Sequence, residues 1–190
     1  MAEAKAKKGN LKFNAVDLIT CVVFAALVRV LFLVFKMAGV VFPFNHSFMQ
    51  MFSTFCFTAC CAVVKKKWTC IYYTIGWVAI DFFLQGEHWL YWIYAFVGSL
   101  IVEFIMDAVG KSKFPDDPTD VYHSNWMYIF GFIYMCFYFW FTFWMIFNVF
   151  LVPCEVWMML VAFLGAVVLS LLGTKLGLAV GIQGHKLTSN

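Results

Sequence analysis

The sequence predicts an all-α fold, an integral membrane bundle of six transmembrane helices with N-in/C-in topology. Three observations predict it. Of the 190 residues, 64% are hydrophobic and only 12% charged, against about 45–50% and about 25% in soluble domains. The apolar residues gather into six long runs without period-2 alternation, the pattern of helices and not of a barrel. The lysines then mark alternate ends of those runs, as the positive-inside rule requires of a multi-pass protein. A water-soluble chain with 21% aromatics, 24 of them Phe, would expose apolar patches far beyond the few hundred Å² that monomers tolerate. Composition also excludes a disordered chain. A net charge of +3 without a basic face excludes a nucleic-acid partner, and the cysteine pattern excludes a secreted disulfide scaffold.

The elements follow in order. Residues 1–14 form a Lys-rich cytoplasmic tail. The apolar run behind it is about twice as long as a signal-peptide core and lacks an A-x-A cleavage pattern. The first span covers 16–42 and is closed by Pro43 and Asn45-His46. The second, 48–64, is separated by Lys65-Lys66-Lys67 from the third, 68–84. Gln85-Gly86-Glu87-His88 turns the third into the fourth, 89–109. The longest polar loop, 111–125, contains Pro115-Asp116-Asp117-Pro118 and leads to the fifth span, 126–152. Pro153 breaks it from the sixth, 156–172 or on to 182. The membrane domain is thus 15–183, with a second cytoplasmic tail at 184–190. Lys5, Lys7, Lys8, Lys12, Lys65, Lys66, Lys67, Lys111, Lys113, Lys175 and Lys186 fall on one side, eleven of the thirteen cations. Arg29 and Lys36 lie within the first span. The expected location is the plasma or inner membrane.

Charges inside a bilayer cost several kcal/mol unless they have a partner or a task. Arg29 and Asp81 each lie about 13 residues into spans that start inside, about 20 Å from the cytoplasmic end. They share a depth and are expected to form a buried ion pair that specifies packing. Glu103 and Asp107, at i, i+4 on the fourth helix, repel each other and want a cation or a polar surface. Snorkelling to headgroups and contact with a partner subunit both answer that need. At the outer end, Asn45, His46, Glu87, His88, Trp89, Trp92, Asn148 and Glu155 set hydrogen-bonding groups beside rigid aromatics such as Tyr91. A small-molecule pocket requires that mixture, although interfacial Trp residues are also ordinary anchors. Glu87 with Glu155 suits a cationic or hydroxyl-bearing substrate, whereas Arg29 with Lys36 suits an anionic one.

Catalytic signatures are missing. The sequence has no Ser-His-Asp order, H-E-x-x-H, P-loop or dinucleotide motif, so no enzyme is expected and any ATP dependence comes from a partner. The four His include none at mid-span for a bis-His haem. Glu87, His88 and His46 are a thin basis for a metal, and no metal or cofactor is expected. The seven Cys contain no C-x-x-C and read as small buried hydrophobes. No internal repeat is evident, and the chain is short for two inverted transporter halves.

One family fits these features. Lys12-Phe13-Asn14-Ala15-Val16-Asp17-Leu18-Ile19-Thr20, leading into Val23-Phe24-Ala25-Ala26-Leu27, resembles the start of the S component of energy-coupling factor (ECF) transporters. Gly86-Glu87-His88-Trp89, with Gly98-Ser99-Leu100-Ile101-Val102-Glu103, is similar to the loop and fourth helix of a branch with unassigned substrates. The resemblance implies a non-catalytic membrane subunit that captures a vitamin, a precursor or another micronutrient near the outer surface. It further implies a transmembrane T component and cytosolic ATPases as partners, with toppling of the S component to release its cargo. The family's first helix offers small residues at four-residue spacing to the T component. Cys21 with Ala25, or Ala25 with Ala26, is the match here, without the usual Ala-x-x-x-Ala. Two other classes stay open: an accessory subunit of a respiratory or photosynthetic complex, and a small membrane enzyme or channel.

Overall fold

A computed structural model describes residues 12–37, 44–84, 89–149, 151 and 155–188. The described residues are helical throughout, joined by short turns. The helices are α1 (Ala15–Met37), α2 (Phe44–Val64), α3 (Thr69–Leu84), α4 (Trp89–Lys113), α5 (Trp126–Asn148) and α6 (Val156–Thr188), with a 3₁₀ turn over Pro118–His123 before α5. Five of them, all but α3, are long and apolar enough to cross a membrane. The 16 residues of α3 span only about 24 Å at 1.5 Å per residue, short of a hydrocarbon core of about 30 Å. Two boundaries move relative to expectation. Asn45 and His46 belong to the first turn of α2 and not to a loop, and α6 continues to Thr188 through most of the segment expected to be a tail.

Each helix end has a local cause. Asn14 and Asp17 exchange backbone-to-side-chain hydrogen bonds, both at 2.8 Å, which start α1 as a reciprocal capping box. α2 ends where Lys65 enters the left-handed region (φ +49°) and its N–H reaches Cys61 O at 2.9 Å, the αL form of C-cap. α3 is capped from another helix. Buried Glu103 of α4 accepts from Trp68 N–H at 2.7 Å and from Cys70 N–H at 3.1 Å. A carboxylate there satisfies orphan donors and complements the positive end of the helix dipole. It also offsets the strain of Trp68 at φ +75°.

The contacts place all six helices in alternating directions. Lys66, just beyond α2, bonds Asp17 in the first turn of α1. Arg29 late in α1 meets Asp81 late in α3, and Asp81 meets Trp92 early in α4. His46 at the start of α2 touches Phe143 late in α5, and Ser47 donates to Ala162 O early in α6. His185 near the end of α6 donates to Val63 O at the end of α2. One end of the bundle therefore gathers the Lys65–Lys67 turn, the start of α1 and the ends of α2, α4 and α6. The other end gathers their opposite termini.

The closest pairing is α2 against α6. Gly173, Gly177 and Gly181 recur every four residues along α6, and each sits where a Cβ would strike α2. At Gly177 it would come within 2.2 Å of Thr58 Oγ1 and 2.5 Å of Phe55 O. Such spacing lets backbones approach in lipid, where apolar burial alone gives helices no reason to associate. Thr54 Oγ1 bridges the pair by donating to Ser170 O. α2 is consequently the most enclosed helix, whereas α1 and α6 expose apolar faces that include Ile19, Val23, Leu164 and Val168.

The lysine end is cross-tied. Lys65 pairs with Asp120 and Asp117, Lys66 with Asp17, and Lys67 with Asp107, which also holds Lys111 at 2.7 Å. The two acids expected to share one need have thus parted, Glu103 to the α3 cap and Asp107 to two lysines. Both are satisfied within the chain, so neither a headgroup nor a partner subunit is required for them. His123 Nε2 and His185 Nδ1 donate to Ala62 O and Val63 O, each at 2.7 Å, and close the open carbonyls of α2. Burial holds the His123 imidazole below its usual range. Lys65 and His185 push the same way, while the Ala62 carbonyl opposes them.

Candidate functional site: an ion pair in an aromatic interior

From near the lysine end to the far half of the bundle, α1 and α3 turn matching stripes toward each other. Cys21, Ala25 and Arg29 recur at i, i+4 and i+8 on α1, as do Tyr73, Trp77 and Asp81 on α3. All six are buried, because four-residue spacing lays side chains on one helix face. Arg29 Nη2 lies 2.6 Å from Asp81 Oδ1, with both side chains at or below 1% exposure. The guanidinium carbon sits 3.9 Å from the centre of the Trp77 ring, a cation–π contact in desolvated surroundings. Trp92 Nε1 donates to Asp81 Oδ2 at 3.1 Å. Both carboxylate oxygens are thereby engaged. The pair is internally neutral and tied to α1, α3 and α4 at once.

Aromatic rings extend this centre across the bundle. Trp77 meets Tyr91 of α4 at 5.7 Å and Tyr138 of α5 at 6.1 Å. Tyr134 packs on Tyr138 at 4.5 Å, and Phe57 of α2 stacks on Tyr134 at 4.3 Å with an interplanar angle of 3°. Tyr91 and Thr142 share a hydroxyl hydrogen bond of 3.0 Å. Two polar atoms inside this region have no hydrogen-bond partner among the described residues, Tyr73 Oη and Gln50 Oε1. A buried polar atom without a partner costs about 1–3 kcal/mol. Chemically, the arrangement is a packed aromatic interior with a few unused hydrogen-bonding atoms. Among the described residues, no three His, Cys, Asp or Glu side chains gather as metal ligands.

The residues expected at the outer mouth divide among separate places. Trp92 serves the ion pair and packs on Phe82 at 5.5 Å. His46 stands between the rings of Phe139 and Phe143, at 5.1 and 5.5 Å, and meets Gln50 Nε2 at 3.4 Å. Asn45 lies beside it on α2, its Oδ1 buried and without a hydrogen-bond partner among the described residues. Trp89 is 56% exposed. Asn148 is exposed, with its amide donating to Trp144 O at 2.9 Å. Glu155, also exposed, accepts from the Trp157 indole. Glu87 and His88 lie outside the described residues.

Two of the three residues expected to dock a partner on α1 are enclosed within the bundle. Cys21 and Ala25 are 1% and 0% exposed. Cys21 Sγ lies 3.7 Å from Cys60 Sγ, and Ala25 Cβ lies 3.4 Å from the position of a Cβ on Gly76. Small residues at this spacing let α1 approach α2 and α3. Ala26, one residue round the helix, is partly exposed.

Sequence reasoning overlooked Tyr73, Trp77, Tyr134, Tyr138 and Gln50. A signal was there, since Tyr73-Trp77-Asp81 and Tyr134-Tyr138-Thr142 each repeat at four residues around polar atoms. In a chain with 21% aromatics, that signal is hard to separate from lipid-facing rings.

A second feature lies between α4, α5 and α6 near the same end. It is an open groove of about 630 Å³ whose walls include Tyr94, Trp140, Phe141, Phe143, Trp144 and Met159. Tyr94 stacks on Phe141 at 3.8 Å, and Phe141 on Trp144 at 5.6 Å, so three near-parallel rings form one wall.

No protein-family model, curated protein or solved structure matches the chain.

Proposed function

We propose that this chain is the non-catalytic, substrate-binding S component of an ECF-type importer. In this reading all six helices span the cell membrane, with both termini in the cytoplasm. The protein takes up a vitamin, a precursor or another small micronutrient from outside and delivers it with a T component and cytosolic ATPases. The observation that carries the proposal is the asymmetry of the bundle. Its lysine-rich end is closed by ion pairs and helix caps, whereas its far end encloses a neutral, aromatic interior with unused hydrogen-bonding atoms.

The alternating helix directions support six spans. α3 runs from the lysine turn to the level of Asp81 in step with α1, and its 16 residues need a locally thinned bilayer or the flanking turn to complete a crossing. Four lysines in tied positions at one end, Lys65, Lys66, Lys67 and Lys111, support the assignment of that end to the cytoplasm. The partner surface in this proposal is the exposed face of α1 with Ile19, Val23, Ala26 and Val30, replacing the buried Cys21 and Ala25.

The test is native mass spectrometry of the full chain, tagged and gently purified from its own membranes. The expected result is a complex in which this chain is accompanied by one other membrane subunit and two ATPases, with a small molecule bound. Stoichiometric association with subunits that are not ATPases, or with pigments visible in absorption, would overturn the proposal in favour of an accessory role.

A further inference from the structure

Lys175 is expected beyond the sixth span, among the lysines of the closed end, but it lies inside α6, a helix long and apolar enough to cross a membrane. It stands ten residues before His185, whose ring reaches Val63 O at the end of α2. Ten helical residues rise about 15 Å. Its neighbour Gly173 sits against Met51 and Thr54, in the middle of α2, so Lys175 is about halfway along the length that the two helices share. Two residues turn a helix by about 200°, and Lys175 therefore faces away from α2. It is exposed, on a stripe with Leu171, Leu172, Leu176 and Ala179. Among the described residues it has no ion pair or hydrogen bond.

An ammonium in such surroundings is costly unless it finds a partner or reaches water. Reaching the lysine end is unfavourable on two counts. The distance exceeds what a four-carbon stem covers, and Cα–Cβ bonds tilt toward the helix N-terminus, which in α6 is the far end. We propose that this face of α6 docks a transmembrane helix of another protein, one that carries an aspartate or glutamate within its apolar span at the depth of Lys175. The leucines supply the packing surface, and the ammonium supplies a charge-assisted hydrogen bond that sets register and partner choice. A second copy of this chain does not offer the acid. Among the described residues Asp81 is held by Arg29, Glu103 caps α3 and Asp107 holds two lysines, while Glu155 precedes Lys175 by twenty residues. The inference goes beyond the importer reading and stands without it, because the charge belongs to α6 in any complex that the chain joins.

The experiment uses the full chain in phosphatidylcholine vesicles at mildly alkaline pH, so that a buried glutamate is ionised. The probes are dansyl-labelled leucine–alanine transmembrane peptides with Glu at mid-span, Gln at mid-span, or Glu at headgroup level. Energy transfer from the protein's tryptophans reads association. The mid-span Glu peptide is expected to bind saturably and about tenfold more tightly than the Gln peptide. Lys175→Leu is expected to erase that difference, and Lys175→Glu to transfer the preference to a peptide with Lys at mid-span. Both variants change an exposed side chain among leucines, and an unchanged thermal midpoint confirms that the fold is kept. Equal binding of the Glu and Gln peptides, or a preference that survives Lys175→Leu, would overturn the proposal. So would tighter binding of the headgroup-level Glu peptide, which would mean that Lys175 snorkels. Loss of the preference when phosphatidylglycerol is added would overturn it as well, by making an anionic lipid the occupant. In the protein's own membranes, a benzophenone side chain at Leu172 is expected to crosslink a chain with an acid inside one span. That crosslink is expected to disappear in Lys175→Glu and to return when the partner's acid is changed to Lys, whereas crosslinks to lipid alone would count against the proposal.

Discussion

Arg29 and Asp81 illustrate what a single residue decides in this bundle. Each is a liability alone in an apolar interior, and together they join α1 to α3. Asp81→Asn is expected to destabilise the protein by about 3–5 kcal/mol, since it leaves the guanidinium buried without its counter-charge. The paired change Arg29→Met with Asp81→Leu is expected to recover most of that loss, because a neutral pair has no charge to desolvate. Thermal unfolding of the three variants in one detergent checks this. A double variant as unstable as Asp81→Asn would mean that the pair does not act as a unit. The pairing was legible from sequence because both residues could be counted inward from lysines, and a helix converts count to depth. Trp92 and Trp77 were not legible in the same way. Their roles depend on where the turn between α3 and α4 returns the chain, and linear spacing does not encode that. Glu103 shows the same limit. It shares a helix face with Asp107, yet it caps α3 because Trp68 and Cys70 present their N–H groups there.

At the scale of the element, α6 carries the small-residue pattern that brings two helices closest together. Gly173-x-x-x-Gly177-x-x-x-Gly181 is a stronger small-residue repeat than Cys21-x-x-x-Ala25 on the first helix. It also marks the tightest helix pair among the described residues. Gly177→Leu is expected to separate α2 from α6. The added side chain starts at 2.2 Å from Thr58 Oγ1 and 2.5 Å from the Phe55 carbonyl, and backbone cannot move aside as a flexible side chain does. A loss of roughly 1–3 kcal/mol is expected for such overpacking. Gly98→Ala on α4 is the control. Its nearest neighbour would be Phe137 Cβ at 3.7 Å, an ordinary contact, so little change is expected. Equal thermal stability for both variants would show that close approach does not hold the pair. Helix boundaries were legible wherever polar residues punctuate the chain, as at Lys65–Lys67. They were less so where capping comes from afar, and the short α3 begins only after Trp68 because its first donors are met by α4.

Across the whole molecule, the two ends differ in what they respond to. The far end holds a buried ion pair among aromatic rings, whereas the lysine end carries exposed ion pairs that contribute about 0–1 kcal/mol each. The histidine clamp on α2 is the more telling group there, since it joins the 3₁₀ turn and α6 to one helix terminus. Charge counting along the sequence could orient this end but not reveal the clamp, because His123 and His185 are 62 positions apart and meet only through the ring contact at 5.0 Å. His123 is held below its ordinary value of about 6.5 in the folded protein, chiefly by burial. The unfolded chain therefore binds a proton at a higher pH than the folded one does. It follows that stability rises with pH across that interval. Its contribution is present in full above about 6.5 and is progressively lost as pH falls below that value toward the depressed folded pKa. Thermal unfolding measured from pH 7.5 down to 5 is expected to show the midpoint falling with acidity. His123→Asn keeps a donor for the Ala62 carbonyl but does not titrate, so its curve is expected to be flatter over the same window. Parallel curves for the two proteins would assign the acid sensitivity to other groups and leave the clamp with a purely structural part. A flatter curve for His123→Asn would tie the pH response of the whole bundle to the terminus of its most enclosed helix.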